Sequence, residues 1–315
     1  MADRQIPIII LGGSDRRSVR LPPGAREKHS LAGYKGFDLL VGGRPVVEIL
    51  AERLEASCAF APIYLAGPAD VYRPIGTRAT LIDTNATFGG NILRALHEVA
   101  ARNPGAPAAF TTCDILPEVE HLRTAMADWG RRGPFDLWFP LIRAPEDRKL
   151  LGASMWKPVY HVLEERGRPS VAILPGHLVV TDPGALRLRF IQRVLDAGFR
   201  TRNRSILNRL VVSVGGLVGG ILVQDLLHLL GGRLPTLTRD TLGAGIAASL
   251  KLRRGRATLA DLEDAVRSIF VKRRHRERHP DRRASLPILD GLSLALDIDT
   301  EDEAKEKTGT SRLSA

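Results

Sequence analysis

The sequence predicts an α/β protein, with a mostly parallel, mixed central sheet, helices on both of its faces and a helical insertion toward the C-terminus. Two observations predict it. From Ile6 to Leu141, short β-branched or apolar runs alternate with amphipathic helical segments, and such alternation favours parallel pairing through helical crossovers. From Arg204 to Phe270 the pattern becomes almost wholly helical, broken by the glycine pairs at 215–216, 219–220 and 231–232.

The elements follow in order. Ile6–Leu11 is apolar and rich in isoleucine, as a strand buried on both faces requires. Pro45 opens a helix reaching Ser57, with Val46, Val47, Leu50 and Leu54 at helical spacing. Ile63–Ala66 and Ala79–Ile82 read as short strands, and Phe88–Ala101 as a helix with Ile92, Leu93, Leu96 and Val99 on its apolar face. Ala108–Thr112 is a strand ending at Cys113-Asp114, Glu118–Arg132 a helix, and Phe135–Leu141 an extended segment. Trp156–Glu164 and Val171–Thr181 are extended segments around a turn at 165–169, and a helix runs from about Ala185 to Ala197. Thr258-Leu-Ala-Asp261 fits a capping box opening the last helix of the helical region. Lys272–Arg283 is polar and basic, and Leu292–Ile298 reads as a final strand before an acidic tail. The expected organisation is a core over 1–200, a helical insertion with a basic linker over 201–283, a closing strand of the core within 284–303 and a tail over 304–315.

Composition narrows the class. Of 315 residues, 44% are hydrophobic and 26% charged, which excludes collagenous, mucin-like and wholly disordered chains. Cys58 and Cys113 form no CxxC pair, so a disulfide framework and a thiolate zinc site are not expected, and a reducing cytoplasm fits best. The run Ile6–Leu11 is shorter than a signal-peptide core. Val211–Leu230 approaches the roughly 20 residues that span a bilayer, but Gln224, Asp225 and His228 within it favour a buried helix pair or an interfacial helix. The formal charge of +11, from 46 basic and 35 acidic residues, is uneven. Lys251–Arg283 holds 12 basic and 5 acidic residues, and the remainder to Ala315 holds 3 and 7. The run Lys272–Arg283 lacks interleaved aromatics, which argues against single-stranded nucleic acid. It reads as a solvated linker, with peripheral contact to an anionic membrane left open.

Ligands in open α/β sheets bind beyond the carboxyl ends of the strands, so the residues after each strand carry the chemistry. Leu11-Gly12-Gly13 follows the first strand, and Arg16, Arg17 and Lys35 share its long loop, a composition suited to phosphate. Neither GxxxxGK[ST] nor GxGxxG is present. Asp114 offers a hard oxygen ligand for Mg²⁺ at a strand end, or equally a cap for the helix from Glu118. Asp297 and Asp299 would share one face of the closing strand, or begin a solvated acidic helix.

Together these features resemble the MobA-like nucleotidyltransferases. The resemblance rests on Leu11-Gly-Gly with Arg16 and Arg17, Tyr34-Lys35-Gly36, Val41–Glu48, Thr87-Phe-Gly-Gly-Asn-Ile92, Thr112-Cys-Asp-Ile-Leu-Pro117 and Leu296-Asp-Ile-Asp-Thr-Glu-Asp302. It implies a Rossmann-like nucleotide-diphospho-sugar transferase fold and Mg²⁺-assisted transfer of an NMP moiety from an NTP to a phosphorylated small-molecule or lipid acceptor, with release of pyrophosphate. It also implies roles. Leu11, Gly12 and Gly13 would meet the nucleotide and its phosphates, and Gly89, Gly90 and Asn91 the base or ribose. Arg16 or Arg17 would neutralise the triphosphate, and Lys35 the leaving pyrophosphate. Asp114 and Asp297 would bind the metal, with Asp299 behind Asp297. Lys157 and His177 are candidates for the acceptor's phosphate. The chain departs from the family in the stretch 18–33, which separates the arginines from Lys35. A glycosyltransferase of the same fold and a non-catalytic basic protein binding membrane or nucleic acid are the competing readings.

Overall fold

A computed structural model describes residues 5–14, 21, 29–155, 157–201, 225, 230, 238–254 and 256–313. Arg16, Arg17, most of the stretch 18–33, Trp156 and most of the candidate span 211–230 lie outside the described residues.

The chain runs β1 (Ile6–Leu11), α1 (Lys35–Asp38), β2 (Leu40–Val41), β3 (Arg44–Pro45), α2 (Val46–Ser57), β4 (Phe60–Gly67), α3 (Ala69–Tyr72), β5 (Thr80–Asp83), α4 (Phe88–Arg102), β6 (Ala108–Thr112), α5 (Val119–Arg132), β7 (Phe135–Trp138) and β8 (Leu141–Arg143). A 3₁₀ segment (Arg148–Ser154), β9 (Tyr160–Leu163), β10 (Ser170–Pro175), β11 (Leu178–Thr181) and α6 (Leu188–Thr201) follow. Within the expected insertion come α7 (Ala244–Arg253), α8 (Leu259–Phe270) and α9 (Arg273–Arg278), and then β12 (Arg283–Ser285), β13 (Ile288–Leu289), a 3₁₀ turn (Leu292–Leu294) and α10 (Glu301–Leu313).

The central sheet has seven strands in the order β12-β7-β11-β6-β1-β4-β5, and β11 alone runs against the others. Every residue of β1 is buried, because the strand lies between β4 and β6 with helices on both faces. One face packs Val46, Val47, Leu50 and Leu54 of α2 together with Leu122 and Ala125 of α5. The other packs Ile92, Ala95, Leu96 and Val99 of α4, with Leu188 and Leu195 of α6 beside them. This is the mixed, mostly parallel α/β architecture the sequence predicts. A second sheet, β13-β8-β10-β9, is covered by Leu259, Leu262 and Val266 of α8.

The capping box at Thr258 is present in both halves: the Thr258 hydroxyl accepts from the Asp261 N–H at 3.2 Å, and the Asp261 carboxylate accepts from the Thr258 N–H at 3.1 Å. Lys251 adds an ion pair at 2.6 Å, and these contacts hold the Asp261 carboxyl down at about 2. Thr258→Ala is expected to lower stability by about 1 kcal/mol, read from the urea midpoint.

Two sequence expectations are corrected. Leu292–Ile298 is not a strand of the sheet: it is a 3₁₀ turn followed by a single antiparallel bridge between Asp297 and Ile115. Its alternating Leu294, Leu296 and Ile298 are buried, as the period suggests, but against the core around α5 and the 3₁₀ segment. The last strand of the central sheet is instead β12, from the end of the basic run, paired in parallel with β7.

The basic run is solvated only in part: Lys272, Arg273, Arg274, Arg278 and Arg283 are exposed as expected, whereas His275, Arg276 and Arg282 turn inward. Asp136, on β7, is fully buried, and Arg267 Nε, His275 Nε2 and Arg282 Nε each lie 3.0 Å from its carboxylate. Arg282 also pairs with Asp182 at 3.1 Å, while Arg187 and Arg276 converge on Asp240. Three side chains of the run, with Arg267 before it, are therefore held by internal carboxylates, which ties α8 and α9 to the sheet.

Candidate active site

The topology brings four strand ends to one edge. Leu11 of β1 is in register with Thr112 of β6 and Ala66 of β4, and Gly67 is in register with Asp83 of β5. Gly12, Gly67 and Cys113-Asp114 thus follow one another along the carboxyl edge. Because β11 runs antiparallel, with Leu178 opposite Thr111, its entry residue His177 reaches the same edge. The sixth contribution comes from far along the chain. Ile298 N–H donates to the Asp114 carbonyl at 2.7 Å and Asp297 bridges Ile115, so the segment after the 3₁₀ turn lies directly against Asp114.

Asp114, Asp297 and Asp299 can each offer one oxygen within 4.8 Å of the others. Two ammonium groups enter this cluster. Lys35 bonds Asp299 Oδ1 and lies 3.8 Å from Asp114 Oδ2. Lys157 bonds both the carbonyl and Oδ1 of Asp297, with Asp299 Oδ2 at 3.6 Å and Glu303 Oε1 at 3.8 Å. His177 Nε2 is 3.7 Å from Asp297 Oδ1, and its Nδ1 is 3.4 Å from the Thr112 hydroxyl.

Local sequence explains the placement. Lys35 opens the one-turn helix α1, and Gly36 lies so close to Cys113 that a Cβ there would stand 2.8 Å from the cysteine Cβ. Only a glycine permits that approach. Lys157 is set by the 3₁₀ segment, whose Ala153 N–H and Ser154 hydroxyl donate to Glu306 and Glu303 of α10 at 2.8 and 2.7 Å. Glu303 completes a second capping box: its N–H donates to the Thr300 hydroxyl at 3.2 Å, and its carboxylate takes the N–H groups of Thr300 and Asp299 at 3.2 and 2.6 Å.

The electrostatics divide the carboxylates. Burial raises Asp114 above the ordinary carboxylate range, and repulsion from Asp297 and Asp299 adds to the effect against the pull of Lys35. Burial also acts to raise Asp297, but Lys157, His177 and Lys35 outweigh it and hold Asp297 well below that range. Burial acts to lower Lys157, yet Asp297, Asp299 and Glu303 keep it above the ordinary lysine value. Cys113 is pushed up to about 12 by burial and by Asp114, so its thiol is a packing group.

An all-oxygen donor set of this size suits Mg²⁺, which takes one or two carboxylates and completes its shell with water and phosphate. Asp114 Oδ1 is buried without a hydrogen-bond partner among the described residues, an arrangement that a cation would satisfy. The contacts of the Asp297 carboxylate with Lys157 and His177 both use Oδ1, whereas lysines approach both oxygens of Asp299. Asp114 and Asp297 therefore fit the ion better than Asp299, which acts as a counter-ion for the two lysines.

The other predicted residues fall as follows. Leu11 and Gly12 are buried; the Gly12 N–H donates to the Ala66 carbonyl at 2.8 Å, and a Cβ on Gly12 would meet the Tyr72 ring at 2.8 Å. Gly13 has no described atom within 4 Å of where a Cβ would be. Gly89, Gly90 and Asn91 begin α4, but their groups are engaged within the protein. Gly89 N–H donates to Asp196 of α6 at 2.8 Å, Gly90 N–H to Thr87 at 3.2 Å, and Asn91 Oδ1 accepts from Ala86 N–H at 2.8 Å. Asp196 thus already sits at this helix start. A Cβ on Gly89 would stand 2.4 Å from the Gln192 carbonyl. Gly89→Ala is expected to force α4 and α6 apart and cost about 1–3 kcal/mol, measured by chemical denaturation. Lys157, expected at the acceptor, is buried and committed to Asp297; His177 is at the cluster and a quarter exposed. Glu303 and Ser154 were not anticipated, although Thr300-Glu-Asp-Glu303 carries a readable capping signal. A recess of about 390 Å³ at the β5 edge, lined by Tyr72, Arg73, Thr77 and Asp83 among others, is separate from the cluster.

No protein-family model and no curated protein matches the chain. Among solved structures, a hypothetical transferase from Thermus thermophilus is similar at 20% identity over 96% of this chain and 99% of its own, with a TM-score of 0.53. A CMP:2-keto-3-deoxy-manno-octonic acid synthetase complexed with CTP aligns at 9% identity over 99% of both chains, with a TM-score of 0.47. The 4-diphosphocytidyl-2C-methyl-D-erythritol synthase of Anaerococcus prevotii aligns at 9% identity over 98% of this chain and 99% of its own, with a TM-score of 0.42. The first likeness establishes the fold alone, a mostly parallel, mixed α/β sheet with helices on both faces. Among the described residues no helix is long and apolar enough to cross a membrane.

Proposed function

We propose that the chain is a MobA-like nucleotidyltransferase that moves an NMP moiety from an NTP to a phosphorylated acceptor and releases pyrophosphate. The observation that carries this reading is the convergence of Asp114 and Asp297 with Lys35 at the sheet edge where β1 runs out into Gly12 and Gly13. Phosphoryl-type transfer needs positioning and charge neutralisation more than a covalent nucleophile, and this cluster supplies both.

In the proposed reaction an acceptor phosphate oxygen attacks the α-phosphorus, the bond from that phosphorus to the bridging oxygen breaks, and pyrophosphate leaves with the electron pair. Mg²⁺, held by Asp114 and Asp297, would supply charge neutralisation for the triphosphate. Gly13 lets the backbone approach the phosphates. Lys35, already beside Asp114, would bring positive charge to the departing pyrophosphate, and Asp299 orients it. His177, between Thr112 and Asp297, faces the cluster from the β11 side and is the remaining candidate for the acceptor's phosphate.

Two labels test the reaction type. Incubation with α-³²P-labelled NTP and a phosphorylated acceptor pool should label the product, whereas γ-³²P-labelled NTP should label only pyrophosphate. Transfer from a nucleotide-sugar with none from an NTP would favour the glycosyltransferase reading instead.

A further inference from the structure

The ammonium of Lys157 is buried beside the carboxylate cluster. Its Nζ is surrounded by oxygens of three acidic residues: the carbonyl and carboxylate of Asp297, Asp299 Oδ2 at 3.6 Å and Glu303 Oε1 at 3.8 Å. The side chain is 9% exposed and is fixed from behind. Arg148 donates to the carbonyls of Met155 and Lys157 at 2.6 and 3.0 Å, the Lys157 N–H donates to the Ser154 carbonyl at 3.0 Å, and α10 clasps Ala153 and Ser154. A lysine held this firmly is part of the scaffold of the cluster and not a mobile arm reaching for substrate.

We propose that Lys157 is a built-in monovalent cation that occupies the second metal position and limits this site to one divalent ion, seated at Asp114 and Asp297. The inference rests on the metal assignment made under the proposed function. Charge supports it: Asp114, Asp297, Asp299 and Glu303 face the ammonium groups of Lys35 and Lys157, leaving two negative charges, which one divalent ion neutralises. A second divalent ion between Asp297, Asp299 and Glu303 would stand in contact with the ammonium, where burial leaves little solvent to screen the repulsion. Lys157 also fixes Asp297 Oδ1 and so orients the carboxylate toward Asp114, which makes it a positioning residue.

The test counts ions on the nucleotide-free protein, using Mn²⁺ alone, by equilibrium dialysis with electron paramagnetic resonance detection. The wild type should bind one Mn²⁺ per chain, and folded Lys157→Met, which keeps the length of the side chain and removes its charge, should bind two. Lys157→Arg should return the count to one. Two ions on the wild type would overturn the inference while leaving the metal assignment standing, and that measurement needs no variant to fold. An unchanged count of one in a Lys157→Met protein with wild-type circular dichroism would also overturn it. No bound ion on the wild type would remove the metal assignment itself.

Discussion

Asp114→Ala loses pyrophosphate release by on the order of 10³-fold, with secondary structure unchanged by circular dichroism. The carboxylate carries a buried oxygen without a hydrogen-bond partner among the described residues and lies at the end of β6, beside the end of β1. Its removal deletes the proposed metal ligand without deleting a core contact. Asp114→Asn sharpens the point, because it keeps the volume and removes the charge. The wild-type carboxyl is raised by burial and by Asp297 and Asp299, so the folded chain holds that proton more tightly than the unfolded chain does. Stability from this group therefore falls as pH climbs from the ordinary carboxylate value through the raised one, and stays lower above it. Asp297 has the opposite sign: its lowered value stabilises the fold above the ordinary carboxylate range and is lost as pH falls through it. In EDTA near neutrality, Asp114→Asn should melt no lower than the wild type. An activity loss accompanied by a large drop in melting temperature would make Asp114 a structural residue.

The largest loss of stability is expected from Asp136→Ala. Its carboxylate is buried and collects Arg267, His275 and Arg282 from α8, α9 and the segment before β12. Removing it strands these groups away from water, which for a buried ionic network costs about 3–5 kcal/mol. The urea midpoint should fall accordingly, and the fall should persist at high salt because the network is shielded from solvent. A loss below about 1 kcal/mol, of the size measured for exposed pairs, would mean that the basic segment is held by apolar packing alone.

Elements specified by short-range pattern were legible in the sequence. The uniform apolar run of β1, the period of α4 and the capping box at Thr258 are decided within a few residues, and each is present. Asp114 and Asp297 could be named as a pair because each sits in a recognisable local context, and the structure brings them together. What was not legible depended on partners far along the chain. Lys157 looked like an acceptor ligand because nothing near position 157 announces Asp297, which is 140 residues away. That His275 and Arg282 turn inward from the basic run was not legible because Asp136, which they meet, lies on β7 more than a hundred residues earlier. β12 has only three residues and lies at the end of that run, too short for a periodic signal. At 292–298 an alternating pattern was present, but the backbone turns at the 3₁₀ segment and buries the same leucines without a ladder. The glycines of 89–90 show a different ambiguity. Sequence alone does not separate a glycine that lets a ligand approach from one that lets a helix approach, and the contact of Gly89 with Gln192 is of the second kind.

The most direct test of nucleotidyl transfer at this cluster is Mg²⁺-dependent pyrophosphate release from each of the four ribonucleoside triphosphates, offered with a pool of phosphorylated sugars, alcohols and lipids. At least one triphosphate should release pyrophosphate only when an acceptor is present, and the release should vanish in EDTA and in Asp114→Ala. Absence of release from all four, or release that survives Asp114→Ala, would contradict the assignment of the cluster as a nucleotidyltransferase centre.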